Sequence, residues 1–284
     1  ATASLHFDSE IHEMDGKALN YTLRQPVGVA GCISPWNLPL YLLTWKIAPA
    51  LAAGNTVVAK PSEITPMTAF LLSKISQKAN LPKGVLNIVH GYGHKAGDAL
   101  SRHPDVPIIS FTGGTATGEK IASVAAPMFK KLSLELGGKN PNIVFEDAEF
   151  DKSVDMAVKA AFSNQGQICL SGSRLFVQES IYKKFRDTFT SKTKELKVGN
   201  PKEDDSNLGA IVSKAHMKKV LSCIELAKSE GGEILTGGKR IILEGELSEG
   251  FYIEPTVIDG LNYTCRTNQE EIFLSIKSLR KFES

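Results

Sequence analysis

A chain of 284 residues with 42% hydrophobic and 23% charged side chains has ordinary globular usage and is long enough for two modest domains. Its 33 basic and 31 acidic residues leave a net charge of +2, which argues against a nucleic-acid binder. No run reaches the ~20 apolar residues of a membrane span, and four scattered cysteines without a CxxC pair or a Cys/His cluster exclude a disulfide scaffold and a zinc site.

Free thiols and the lack of a signal peptide point to a reducing, cytoplasmic setting. In chain order, Val27 to Ser34 and Thr56 to Lys60 read as strands, with an apolar helix from Pro39 to Ala53 between them, ended by Gly54-Asn55. Thr65 is placed to cap a helix running from Pro66 to Ala79. Val85 to Val89 is the next strand, and Gly91 to Gly97 a glycine-punctuated turn. Pro107 to Phe111 is a further strand, followed by a helix over Thr115 to Ala125 and strands at Lys131 to Leu136 and Asn142 to Phe145. Such alternation predicts a doubly wound α/β sheet. Beyond Asp151 come a helix from Val154 to Phe162, a Gly-rich turn, a strand over Ser173 to Gln178, and amphipathic helices over Ile181 to Lys194 and Lys214 to Ser229. The Gly-Gly pair after Leu136 marks a domain boundary, giving domains 1–136 and 137–273. The basic stretch 274–284 fits no element and is set aside as an atypical tail.

Four local patterns bear on chemistry, and each has a bland alternative. In Asn164-Gln-Gly-Gln-Ile-Cys169, a cysteine after a glycine turn is placed either as a nucleophile facing a cleft or as a packed structural thiol. In Leu134-Glu-Leu-Gly-Gly-Lys139, Glu135 between two leucines is either a desolvated general base of raised pKa or a solvated edge carboxylate. Asn37 of Pro35-Trp-Asn37 is an oxyanion donor or a turn former. Phe111-Thr-Gly-Gly-Thr-Ala-Thr-Gly118 joins a strand to a helix whose N-terminal amides suit phosphate, although the spacing is neither GxGxxG nor a Walker A loop. Glu63, at the end of Ala59-Lys-Pro-Ser-Glu63, can accept from both hydroxyls of a ribose. His90 and His94 are four apart, but Gly91 and Gly93 argue against a helix there, so no metal site is expected.

Together these motifs closely resemble the aldehyde dehydrogenase family, in order and in spacing, from about Tyr21 to Phe273. The resemblance implies a Rossmann-like cofactor domain joined to an α/β catalytic domain. It implies Cys169 as the nucleophile, Glu135 as the base and Asn37 as the oxyanion donor. It further implies that Lys60 and Glu63 hold the adenosine ribose and that the Gly113, Gly114 and Gly118 turn faces the pyrophosphate. Trp36, Ser62, Gly93, Gly97, Phe111, Leu136, Glu271 and Phe273 complete the implied cofactor contacts, with Glu271 at the nicotinamide ribose. The carboxylate of Glu63 would repel a 2′-phosphate, so NAD is expected rather than NADP. The substrate is a small aldehyde, and the stretch Ile33 to Lys46 looks most like the branch acting on muconic semialdehydes.

Members of that family are longer and form homo-oligomers. This chain begins at Ala1 rather than Met, and Glu270-Glu-Ile-Phe273 continues into Leu274-Ser-Ile-Lys277 where the family has Gly-Pro. The expectation is a chain truncated at both ends, with incomplete oligomer-forming elements and poor or absent activity. Competing readings are a catalytically inactive remnant that still binds nucleotide and a cofactor-free thiol esterase. No nucleic-acid or membrane partner is expected.

Overall fold

The computed structural model describes residues 8–273 and 276–283. The chain folds as two compact units, the first ending at Leu136 and the second beginning at Gly137.

The first unit opens with a two-stranded antiparallel ribbon, β1 (Ile11–Met14) and β2 (Ala18–Tyr21). Asp15 and Gly16 turn it, both in the left-handed region at φ 48° and 68°. Next come β3 (Val29–Ile33), α1 (Pro39–Ala52), β4 (Thr56–Lys60), α2 (Met67–Lys78) and β5 (Leu86–Ile88). A π-helical turn over Gly93–Gly97 runs straight into α3 (Asp98–Arg102). β6 (Ile108–Gly113), α4 (Thr115–Ala125) and β7 (Lys131–Leu136) complete the unit. The strands form one parallel sheet in the order β5-β4-β3-β6-β7. Alternate residues of each strand feed opposite faces. Ala30, Cys32, Val57 and Ala59 pack with Leu43 and Ile47 of α1 and Ala69 of α2, whereas Ile33, Ile109 and Phe111 pack with Leu100 of α3 and Ile121 of α4.

Two local expectations are corrected here. Gly93 does not bar a helix: neither it nor Gly97 has a positive φ, and the break falls at Gly91, at φ 156°. Thr65 does not cap α2; the N-cap position is Pro66, and the Thr65 hydroxyl donates to the Trp36 carbonyl at 3.4 Å. The end of α1 is as read. Gly54 sits at φ 81°, its N–H donates to Leu51 O at 2.9 Å, and Asn55 N–H donates to Ala50 O at 3.1 Å, the paired bonds of a Schellman cap.

The second unit contains β8 (Pro141–Val144), α5 (Phe150–Phe162), β9 (Arg174–Gln178), α6 (Glu179–Lys194) and α7 (Lys214–Ser229). There follow β10 (Glu233–Thr236), the short pair β11 (Arg240–Ile241) and β12 (Tyr252–Ile253), β13 (Thr256–Asp259), α8 (Arg266–Gln269) and β14 (Ile276–Phe282). The main sheet runs β10-β13-β14-β9-β8, parallel except at β10. α5 and α6 cover one face through Phe162, Phe185 and Phe189, the last stacked on each of the other two at 6.0 Å. α7 covers the other through Val220 and Ile224, which pack with Ile258 and Ile276.

The largest correction concerns the supposed tail. Residues 276–282 are the central strand of this sheet, paired with β13 on one side and β9 on the other. Leu274, Ser275 and Ser284 lie outside the described residues. The helix expected from Val154 also begins one turn earlier, at Phe150, with Asp151 in its first turn, where a negative charge favours the helix dipole.

Candidate active site

In a parallel sheet, ligands are received at the carboxyl ends of the strands, where the winding reverses. In the first unit the chain winds from β3 outward to β5, then returns to lay β6 on the other side of β3, so the reversal lies between β3 and β6. A cleft of about 400 Å³ opens there, lined by Ile33 and Ser34 at the end of β3, Lys60 and Ser62 at the end of β4, and Thr112 and Gly113 at the end of β6.

Lys60 Nζ, 3% exposed as a residue, donates to Glu63 Oε2 at 2.8 Å, and Gly93 N–H faces Glu63 Oε1 from 3.5 Å. Partial burial alone would push the Glu63 carboxyl up, but the bond and charge of Lys60 together with backbone hydrogen bonds, that of Gly93 among them, hold the group below the usual carboxylate range. Across the cleft, Gly114 is the N-cap of α4 without a side-chain cap, so the first amides of the helix are open to an anion. Nothing lies within 4 Å of where a Cβ on Gly114 would stand.

Of the residues expected at a cofactor, Trp36, Lys60, Ser62, Glu63, Gly93, Gly97, Phe111, Gly113 and Gly114 line this one cleft. Gly118 and Leu136 do not. Gly118 is buried on α4 where a Cβ would meet Leu136 Cδ2 at 2.6 Å, so the pair serves the packing of α4 on β7 rather than the cleft.

Glu135 is exposed on the edge strand β7, because alternation turns it away from the half-buried Leu132, Leu134 and Leu136. Of the two readings of this residue, its position is that of the solvated edge carboxylate. Lys46 is the neighbour that sequence reasoning missed. It is 6% exposed on α1, and its Nζ donates to Ser110 Oγ at 3.2 Å. Burial lowers its pKa, while the charges of Cys32 and Glu135 pull it back up. A single lysine inside an otherwise apolar helix was the signal. Asn37 is half-buried in the bend between β3 and α1.

In the second unit, Cys169 sits in a turn between a 3-10 segment, Ser163–Gly166, and β9. Asn164, Gln165 and Gly166 are consecutive left-handed residues at φ 51°, 57° and 69°. For the two non-glycines this conformation costs of order 1–3 kcal/mol each, a strain tolerated only where the surroundings impose it. Buried Gln167 imposes part of it, since its N–H donates to Asn164 O at 2.9 Å and its Oε1 accepts from Val212 N–H at 3.2 Å. Asn140, which the sequence reading passed over, donates from Nδ2 to the carbonyls of both Cys169 and Ser171, the latter at 3.2 Å. Cys169 is half-buried and next to Leu170, which is 83% exposed. Cys32 is fully buried in the first unit, and that burial pushes its thiol up to about 11.

Glu271 accepts from Gly138 N–H at 3.2 Å and lines a small cavity with Cys169 and Lys139. Phe273 adopts φ 59°, and its carbonyl meets His216 Nε2 at 3.1 Å. Among the described residues no group of three or more His, Cys, Asp or Glu could hold a metal ion, and no helix is long and apolar enough to cross a membrane.

The profile of the aldehyde dehydrogenase family matches residues 1–284. The chain is 50% identical over 287 aligned residues to 2-aminomuconic semialdehyde dehydrogenase of Homo sapiens, covering all of this chain and 59% of that protein. It is 47% identical to 2-aminomuconic 6-semialdehyde dehydrogenase of Pseudomonas sp, covering 94% of this chain and 55% of that one. Among solved structures, betaine aldehyde dehydrogenase of Staphylococcus aureus in complex with NAD+ superposes with a TM-score of 0.92 at 40% identity, over 97% of this chain and 55% of that one. The chain thus spans a little over half the length of these relatives.

Proposed function

We propose, since the chain belongs to the aldehyde dehydrogenase family, that it carries the machinery for NAD-dependent oxidation of a semialdehyde of the muconic type to its carboxylic acid. The observation that carries the cofactor part is the cleft between β3 and β6, with the Glu63 carboxylate held by Lys60 on one side and the uncapped start of α4 on the other. A carboxylate that accepts from a vicinal diol and free amides that receive a diphosphate are the two features a dinucleotide requires. Glu63 and Lys60 would hold the adenosine ribose, Gly113 and Gly114 the diphosphate, and Glu271 the second ribose. The negative charge at Glu63 favours NAD over a 2′-phosphorylated nucleotide. NAD, when bound, supplies the hydride acceptor that turns the Cys169 adduct into a thioester.

The remaining roles belong to the chain's own residues. The Cys169 thiolate adds to the aldehyde carbon, and the Asn37 amide with the Cys169 backbone N–H meets the oxyanion. Asn140 and Gln167 hold the turn that presents the thiol. Glu135 takes a proton from the water that hydrolyses the thioester, releasing the acid and restoring the thiol. The substrate class rests on likeness to the human and bacterial semialdehyde enzymes.

The test is reduced-nicotinamide formation with a panel that includes muconic semialdehydes and betaine aldehyde, alongside calorimetric titration with NAD and NADP. Turnover lost in Cys169→Ala, with NAD affinity kept and then weakened by Glu63→Ala, is the expected result. NAD binding without turnover on any aldehyde would make the chain a nucleotide-binding remnant. Ester hydrolysis without NAD, lost in Cys169→Ala, would make it a thiol esterase.

A further inference from the structure

One buried amine in the second unit has no part in the reaction described above. Lys277 lies in the central strand β14, opposite Val257 of β13, and its side chain has no exposure. Its Nζ donates to Ser171 Oγ at 2.8 Å. The same hydroxyl lies 3.1 Å from Ala160 O and 3.0 Å from Ala161 O, carbonyls of the last turn of α5. A serine hydroxyl has one proton and two lone pairs, so Ser171 donates to this helix end while accepting from Lys277.

Ser171 is two residues past Cys169, and Lys277 and Cys169 line the same cavity of about 20 Å³, room for roughly one water. The turn bearing the thiol therefore has two anchors. Asn140 ties the carbonyls of Cys169 and Ser171, and Ser171 ties the turn to α5 and β14.

We propose that Lys277 is a positioning residue for Cys169, holding the thiol-bearing turn as a neutral amine and releasing it on protonation. An ammonium carries three N–H donors, and among the described residues the acceptor it has is Ser171 Oγ. No carboxylate is paired with it among the described residues. Glu271, on the same cavity, accepts from Gly138 N–H instead. The titratable groups that face this site from the packed elements are Lys139 before β8, Cys169 in the turn and Glu271 after α8. Arg174 on β9, Cys223 on α7 and Cys265 before α8 act on Lys139 in turn. Burial, and then the like charge of Lys139, push the Lys277 amine down to about 7. Protection of the turn should therefore decline as the pH falls from the amine's ordinary 10.5 and level off at about 7.

The functional meaning of this latch rests on the reading of Cys169 as the nucleophile. The experiment is hydrogen–deuterium exchange of the full chain, following the peptide that spans 163–172 from pH 6 to 9. Site-resolved alkylation of Cys169, Cys223 and Cys265 is measured at pH 8 in parallel. In the parent chain, protection of this peptide is expected to fall roughly tenfold between pH 8 and pH 6, as one group titrates across its midpoint. In Lys277→Met, which removes the amine and keeps most of the side chain's reach, protection should stay nearly flat from pH 6 to 8, because the window of Lys139 opens at about 8. A purely structural lysine would move the level of protection without moving its pH profile. Coincident profiles for the parent chain and Lys277→Met would overturn the proposal. If Lys277→Met fails to fold, Ser171→Ala decides, since it keeps the amine and cuts the link. Low, pH-independent protection supports the latch, and a retained pH profile rejects it. Should Cys169 alkylate no faster than Cys223 and Cys265, the nucleophile reading fails while the exchange result stands apart from it.

Discussion

At Gly137 a Cβ would stand 1.9 Å from Glu271 Oε1, and Gly138 N–H donates to that same oxygen at 3.2 Å. The missing side chain at Gly137 therefore lets a carboxylate rest against the backbone. Neither glycine has a positive φ. The blocking atom is the end of a flexible side chain, so Gly137→Ala is expected to expel the Glu271 carboxylate rather than unfold the chain. The cost should be the lost charge-assisted hydrogen bond, about 1 kcal/mol for so exposed a group. Glu271→Ala should cost the same, and the double variant no more than either alone. A denaturant-midpoint cycle reads the coupling, and additive losses would show that the two residues act independently. The sequence displayed Gly137-Gly138 and Glu271 more than 130 positions apart, and no local rule joins them. Asn140 and Lys277 were hidden for the same reason, since each gains its role from a partner remote in the chain. Lys60 and Glu63 were legible because their contact spans three residues.

At the scale of elements, legibility followed punctuation. α1 could be read to its last residues because Pro39 opens it and Gly54-Asn55 closes it, each with a mechanism in the backbone. Gly54 holds φ 81°, and a Cβ there would meet Pro26 Cγ at 3.1 Å. Gly54→Ala should thus cost about 1–2 kcal/mol, the strain of an ordinary residue in the left-handed region. Trp45, on the same helix, gives a fluorescence reading of the loss in urea, and an unchanged midpoint would mean that the cap carries no weight. The hairpin at Asp15-Gly16 was passed over, since β1 and β2 are exposed throughout and lack the alternation that marks a half-buried strand. β14 failed for the opposite reason. Ile-Lys-Ser-Leu-Arg-Lys-Phe carries neither a helical nor a strand period, yet β9 and β13 on either side bury its first four residues. Propensity reads a strand's own side chains; a central strand is decided by its neighbours.

For the molecule as a whole, the unusual feature is how many lysines are lowered by burial with no carboxylate hydrogen-bonded to the amine among the described residues. Burial pushes Lys277 down to about 7 and Lys139 down to about 8, and it lowers Lys46 and Lys130 as well. A lysine whose folded pKa lies below its unfolded value releases its proton on folding. The unfolded chain then holds more protons between the two values, and stability rises with pH across that window, by about 1.4 kcal/mol per unit for each such group. For Lys277 the window opens near 7 and for Lys139 near 8. Thiols act the other way. Cys32, pushed up to about 11 by burial, keeps its proton in the fold while the unfolded chain loses it above its ordinary value of 9.0, so stability falls beyond that point. The resistance of the chain to urea should therefore climb from about pH 7, and above about 9 the titration of Cys32 should offset part of the rise. The strongly shifted groups divide between the units, Lys277 and Lys139 in the second and Cys32, with the less shifted Lys46 and Lys130, in the first. Both tryptophans, Trp36 and Trp45, are in the first unit, so their fluorescence reports Lys46, Lys130 and Cys32, while the limb set by Lys277 and Lys139 must be followed through the labelling of Cys223 as the second unit opens. In Lys277→Met that limb should start near 8 rather than 7 and be shallower. A parent chain whose second unit is equally stable at pH 7 and pH 9 would show that these lysines reach water or an anion in the native state.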